Sequence, residues 1–80
     1  MSSDKIVSEI ISIVEEILGL KREDISETDH FADDLGADSL DIVELIFEFE
    51  DHFDLQISED AIDEITTIQK AANYIKAWAV

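Results

Sequence analysis

Few side chains in this chain of 80 residues are chemically reactive. There is no cysteine, so the sequence offers no thiol nucleophile, disulfide or zinc–thiolate site. The residue that stands out is Ser39, in the run Gly36-Ala37-Asp38-Ser39-Leu40-Asp41-Ile42-Val43-Glu44-Leu45. A serine hydroxyl acts as a nucleophile only when a base takes its proton and a third group orients that base. The two histidines, His30 and His52, lie nine positions before and thirteen after Ser39, and no triad can be built from them. Catalysis by this chain is therefore not expected, and no catalytic residue is assigned. Two roles remain for Ser39. It can help to cap a helix, which serine favours on general grounds, or it can accept a group that another enzyme attaches. Asp38 can serve as the cap itself, which leaves the Ser39 side chain pointing outward. The segment Asp33-Asp34-Leu35-Gly36-Ala37-Asp38 is acidic around a glycine but fails the calcium-loop spacing, and no metal ligand is assigned.

The elements that hold Ser39 follow from periodicity. Apolar residues recur at helical spacing for about four turns after it, predicting a helix over roughly Ser39 to His52. At about 100° per residue, Ile42, Leu45, Ile46, Phe49 and Phe53 share one face. Leu40, Val43 and Phe47 share the opposite face with Asp41, Glu44, Glu48 and Asp51, an apolar strip fringed with acid that reads as a docking surface. An earlier helix is predicted from about Asp4 to Leu18, capped by Ser2 or Ser3, with a stripe of Ile6, Ile10, Ile13, Val14 and Ile17. Gly19 is its left-handed stop, and Leu20 folds back. Lys21 to Ala37 is a long loop pinned by Ile25, Phe31 and Leu35. Ser58 caps a short third helix. Thr66 and Gln69 have capping-box spacing and open a fourth, with Ile68, Ala71, Ala72, Ile75 and Ala79 inward and Tyr74 and Trp78 nearby. The fold class is all-α: a small four-helix bundle of three main helices and one short one, with the long loop between the first two.

Eighty residues make one domain, spanning 1–80, with a modest core. The apolar fraction of 46% is that of a folded domain, but 21 acidic residues against 5 basic give a net charge of −16. No lysine or arginine occurs between Arg22 and Lys70. Such a field repels nucleic acid and anionic membranes, and attracts proteins with basic patches. The amino-terminal pattern fits neither a signal peptide nor a membrane span, and a reducing, cytoplasmic setting is compatible with the absence of cysteine.

The run Phe31-Ala32-Asp33-Asp34-Leu35-Gly36-Ala37-Asp38-Ser39-Leu40-Asp41-Ile42-Val43-Glu44-Leu45 resembles the signature of acyl carrier proteins, the small acidic shuttles of fatty-acid synthesis. The similarity extends to Glu50-Asp51-His52-Phe53 and Ile65-Thr66-Thr67-Ile68-Gln69, and so takes in most of the chain. It implies that Ser39, between Asp38 and Leu40, carries a phosphopantetheine arm through a phosphodiester, whose charge suits the free N–H groups of a helix start. It further implies that a phosphopantetheinyl transferase, using coenzyme A and magnesium, attaches the arm, and that the arm's thiol bears growing fatty acyl chains as thioesters.

By the same resemblance, the helix that starts at Ser39 is the recognition element for ketosynthases, reductases, dehydratases and acyltransferases, which meet it through basic patches. The contacts on it are Leu40, Asp41, Val43, Glu44, Phe47, Glu48, Glu50 and Asp51. The carrier is expected to act as a monomer, without nucleic acid or membrane insertion. Leu45, Ile46, Phe49, Ile57, Ile65, Ala71, Tyr74 and Ile75 would line an acyl pocket between the helices. Three positions depart from the family's habit: Phe47 stands where methionine is common, Ser58 where proline is frequent and Ile62 where alanine is usual. They leave open a carrier dedicated to one pathway (polyketide, peptidyl or D-alanyl). An unmodified acidic interaction module is the rival from another class.

Overall fold

The computed structural model describes the backbone of residues 2–78 and the side chains of residues 5–78. Among these residues four α-helices follow in order: α1 (Ser2–Leu18), α2 (Ser39–Phe53), α3 (Glu59–Ile62) and α4 (Ile68–Trp78). A 3-10 turn, Arg22–Asp24, interrupts the loop between α1 and α2. No strand forms among the described residues; one isolated antiparallel bridge joins His30 to Thr67. None of the helices described is long and apolar enough to cross a membrane.

Helix α1 begins two residues before the sequence places it, at Ser2 rather than Asp4. The expected capping by Ser2 or Ser3, and the inward position of Ala79, lie outside the described residues. Ile10, Ile13 and Val14 are buried as the stripe requires, and Ile11 is buried with them. The apolar arc is wider than one stripe because α1 is central, packed against α2, α4 and the 3-10 turn. Arg22 braces that turn against α1, with one guanidinium nitrogen 2.7 Å from Ser8 Oγ and another 3.5 Å from a Glu15 carboxylate oxygen.

Helices α1 and α2 each stop at a left-handed residue. Gly19 has φ +66°, and Leu20 beyond it packs half-buried on the core. At the end of α2 the same task falls to Asp54, at φ 53°, whose N–H donates to the Glu50 carbonyl. Aspartate tolerates that region better than most residues with a Cβ. Sequence periodicity carries no sign of this stop, because no glycine marks it.

The long loop is part of the core. Ile25, Phe31 and Ala37 are buried, Leu35 is half-buried, and the Phe31 ring lies 6.3 Å from that of Phe49. Its backbone also satisfies the start of α4: the Gln69 N–H donates to the Glu27 carbonyl at 2.9 Å and the Ile68 N–H to that of Asp29 at 3.4 Å. These are among the donors that a helix start leaves without partners of its own. The cap of α4 is correspondingly shifted. Thr67, not Thr66, accepts from the Lys70 N–H at 3.1 Å, while the Thr66 carbonyl is taken by the Phe31 N–H. Pairing of the loop with residues 66 and 67 extends the chain one residue further than the capping-box spacing implied, and Gln69 turns to Asn73 instead. In α3 the expected cap stands: Ser58 Oγ accepts from the Ala61 N–H at 3.2 Å.

Candidate attachment site and recognition face

Ser39 is the first residue of α2 and is exposed. Asp38 before it is extended (φ −91°, ψ −175°), and its Oδ1 accepts from the Asp41 N–H at 2.9 Å. Asp41 returns the bond: its Oδ2 accepts from the Asp38 N–H at 3.2 Å. This reciprocal box takes the capping role away from Ser39 and leaves its hydroxyl free for other chemistry. The Ile42 N–H donates to the Asp38 carbonyl at 3.0 Å. The amides of Ser39 and Leu40 are then the unclaimed donors of the first turn, beside the hydroxyl and at the positive end of the helix dipole. An anionic group esterified to Ser39 fits there. Asp41 was read from the sequence only as part of the outer face. The spacing of Asp38 and Asp41, three apart, matches a capping box with aspartate in place of glutamate and could have revealed it.

The approach to Ser39 is fixed by His30. The backbone N–H groups of Ala32 and Asp33 both donate to His30 Nδ1, each at 3.1 Å, so this nitrogen acts as a shared acceptor for the turn. The Asp33 carboxylate lies 3.9 Å from the same nitrogen. Asp34 Oδ2 accepts from the His30 N–H at 2.7 Å. The turn closes with the Gly36 N–H on the Ala32 carbonyl and the Ala37 N–H on that of Phe31, at 3.2 and 2.9 Å. Gly36 has φ +76° with open space around a built Cβ, so the backbone conformation, not crowding, is what calls for glycine. His52 is occupied at the far end of α2, with its Nε2 3.1 Å from a Glu9 carboxylate oxygen on α1. Both histidines thus have structural partners, and among the described residues no side chain is hydrogen-bonded to the Ser39 hydroxyl. Among the described residues no cluster of three metal-ligating side chains forms.

The outer side of α2 is apolar and acidic at once. Leu40 is 73% exposed, Phe47 63% and Val43 46%, large values for apolar side chains on a small domain. Glu44, Glu48 and Asp51 are exposed among them, and Asp41 is half-buried by its role in the cap. Glu50 sits differently from its neighbours. It is half-buried, and its Oε2 accepts from the Ile57 N–H at 2.8 Å, tying the segment before α3 to α2.

Leu45, Ile46, Phe49, Ile57, Ile65, Ala71 and Ile75 come together in one buried core. Tyr74 is half-buried at its edge and donates from its hydroxyl to the Gln56 carbonyl at 3.4 Å. A groove of about 320 Å³ opens beside this core between α2 and α3, lined by Ile42, Val43, Ile46, Phe47, Ile57 and Ile62 with Glu50 and Glu59. Ile46 and Ile57 are the two expected pocket residues that reach it. Leu45, Phe49, Ile65, Ala71, Tyr74 and Ile75 do not line it.

Comparison with known proteins agrees with this geometry. The family model described as the phosphopantetheine attachment site matches residues 8–75. Acyl carrier proteins of Cyanidioschyzon merolae and Trieres chinensis are each 49% identical over 75 residues, which is 94% of this chain and 82% and 94% of theirs. That of Chloroherpeton thalassium is 43% identical over 94% of both chains. A solved structure of a protein assigned as an acyl carrier protein in Mycobacterium tuberculosis superposes with a TM-score of 0.84 at 33% identity, over 91% of this chain and 97% of that one.

Proposed function

The chain belongs to the acyl carrier protein family, and on that premise we propose that Ser39 is the residue to which the family's phosphopantetheine is joined. The protein carries acyl chains on this covalent prosthetic group, which when bound supplies a terminal thiol to hold them as thioesters. The observation that supports Ser39 is its place at the tip of α2, exposed and relieved of capping by the Asp38–Asp41 pair. Asp38 fixes the helix start and Leu40 presents apolar surface beside the attachment point.

Residues 1–80 act as one carrier domain in fatty-acid synthesis, in the cytoplasm, and leave catalysis to their partners. A phosphopantetheinyl transferase, ketosynthases, reductases, dehydratases and acyltransferases meet the outer face of α2. Leu40, Val43 and Phe47 give that face apolar contact, and Asp41, Glu44, Glu48, Glu50 and Asp51 give it charge. The acyl chain enters by the α2–α3 groove towards Leu45, Ile46, Phe49, Ile57, Ile65, Ala71, Tyr74 and Ile75. Phe47 and Ile62, both lining that groove, favour a second reading in which the carrier serves one dedicated pathway.

The test is mass spectrometry after incubation with a phosphopantetheinyl transferase, coenzyme A and magnesium. The wild type is expected to gain the mass of one phosphopantetheine group, mapped to the peptide that holds Ser39. Ser39→Ala is expected to gain nothing while melting as the wild type does. Uptake of the arm by the alanine variant, or an unchanged wild-type mass, would refute the assignment.

A further inference from the structure

A second groove, of about 450 Å³, runs between α1 and α2. Ile13 and Ile17 form its floor with Phe47, and three carboxylates line it: Glu16 from α1, Glu44 and Glu48 from α2. Ile13 is buried and Ile17 half-buried, whereas Phe47 is largely exposed and lines this groove as well as the one between α2 and α3. Among the described residues the carboxylates that meet a basic side chain are those of Glu15 (with Arg22), Asp33 (with His30) and Glu9 (with His52), so Glu16, Glu44 and Glu48 are not among them. Glu44 and Glu48 are also one helical turn apart, a spacing at which like charges repel.

Two unmet demands coincide here. The apolar surface that Ile17 and Phe47 still expose gains by being covered, and the rim gains by the arrival of positive charge. An inorganic cation meets only the second demand and a neutral apolar ligand only the first. Anionic lipid, nucleic acid and a second copy of a chain of charge −16 are all repelled. We propose that the α1–α2 groove receives a basic amphipathic helix of a partner protein. One apolar side chain of that helix rests on Ile13, Ile17 and Phe47, and arginine or lysine residues a turn to either side face Glu16, Glu44 and Glu48. The surface extends partner recognition from the outer face of α2 on to α1, and Glu16 becomes a contact that lies away from Ser39. The inference rests on the carrier reading only in taking proteins as the partners.

The experiment titrates the isotopically labelled protein with a helical peptide of alanine that bears one leucine with arginines four residues to either side, at about 0.15 M salt. Amide shifts are expected at Ile13, Glu16 and Ile17. Glu16→Lys is expected to weaken binding about fivefold or more. Glu23→Lys, the same change of charge on the exposed 3-10 turn, is expected to weaken it less than about twofold. Replacing the peptide's leucine with alanine is expected to abolish most of the affinity. Absence of binding, shifts confined to Ile57 and Ile62 of the other groove, equal loss from the two charge reversals, or indifference to the peptide's leucine would each overturn the proposal. Uptake of the arm is followed by mass in the same samples. Failure of the groove with Ser39 still modified thus separates this inference from the carrier reading.

Discussion

Replacing Asp38 asks whether a hydrogen-bonded cap or simply negative charge holds the start of α2. Asp38→Ala removes the acceptor of the 2.9 Å bond from the Asp41 N–H and leaves only the return bond, 3.2 Å from the Asp38 N–H to Asp41. Loss of an aspartate cap costs about 1 kcal/mol, within a range of about 0.5–2. The substitution also removes a negative charge from the positive end of the helix, a loss of about 0.3–1 kcal/mol. Against this, one charge fewer in a chain of net −16 relieves repulsion of comparable size and opposite sign, so the net change stays near the value of the cap. For a two-state domain of 80 residues this corresponds to a fall in Tm of about 4–8 °C. Asp38→Asn keeps the acceptor and sheds the charge, and its Tm is expected within about 2 °C of wild type. Thermal melts followed by circular dichroism at fixed salt distinguish the two, and urea titrations check that m is unchanged. An alanine variant as stable as wild type would refute the capping argument. An asparagine variant as unstable as the alanine one would show that charge, not the bond, does the work.

Four further outcomes are expected. Thr67→Ala removes the observed cap of α4 and costs about 1 kcal/mol, whereas Thr66→Ala costs less than about 0.5; the reverse order in chemical denaturation would contradict the shifted cap. His30→Ala strips the shared acceptor from the Ala32 and Asp33 amides, which water can partly replace, and is expected to cost about 1 kcal/mol, with faster amide hydrogen exchange confined to the turn before Ser39. Reversing Glu44 and Asp51 to lysine together is expected to slow modification of Ser39 about tenfold at low salt and less at high salt, and an unchanged rate at low salt would exclude electrostatic docking on α2. Loading with a long acyl chain is expected to raise Tm, each methylene that leaves water adding up to about 0.8 kcal/mol; equal melting of loaded and unloaded protein would exclude sequestration in the α2–α3 groove.

Helix α2 was legible from the sequence because its two faces arise from a local repeat. Leu45, Ile46 and Phe49 are buried, and Leu40, Val43 and Phe47 exposed, as a period of 3.6 residues dictates without reference to the rest of the fold. The position of Ser39 at its tip, the capping capacity of Asp38, the left-handed stop at Gly19 and the net charge also follow from residues close together in the chain or from composition. What depends on distant partners was not legible. The cap of α4 falls on Thr67 because the loop at Phe31 claims the carbonyl of Thr66. Glu50 braces Ile57, and His30 clamps a turn that a spacing rule treats as featureless. The groove with Ile13, Ile17 and Glu16 on one wall and Glu44 and Glu48 on the other exists only because α1 lies beside α2. Backbone torsions and helical periodicity act over a few residues, so the sequence determines each helix, its faces and its reactive tip. Which carbonyl meets which amide across tens of residues, and which acids converge on one apolar floor, is decided by how the helices pack.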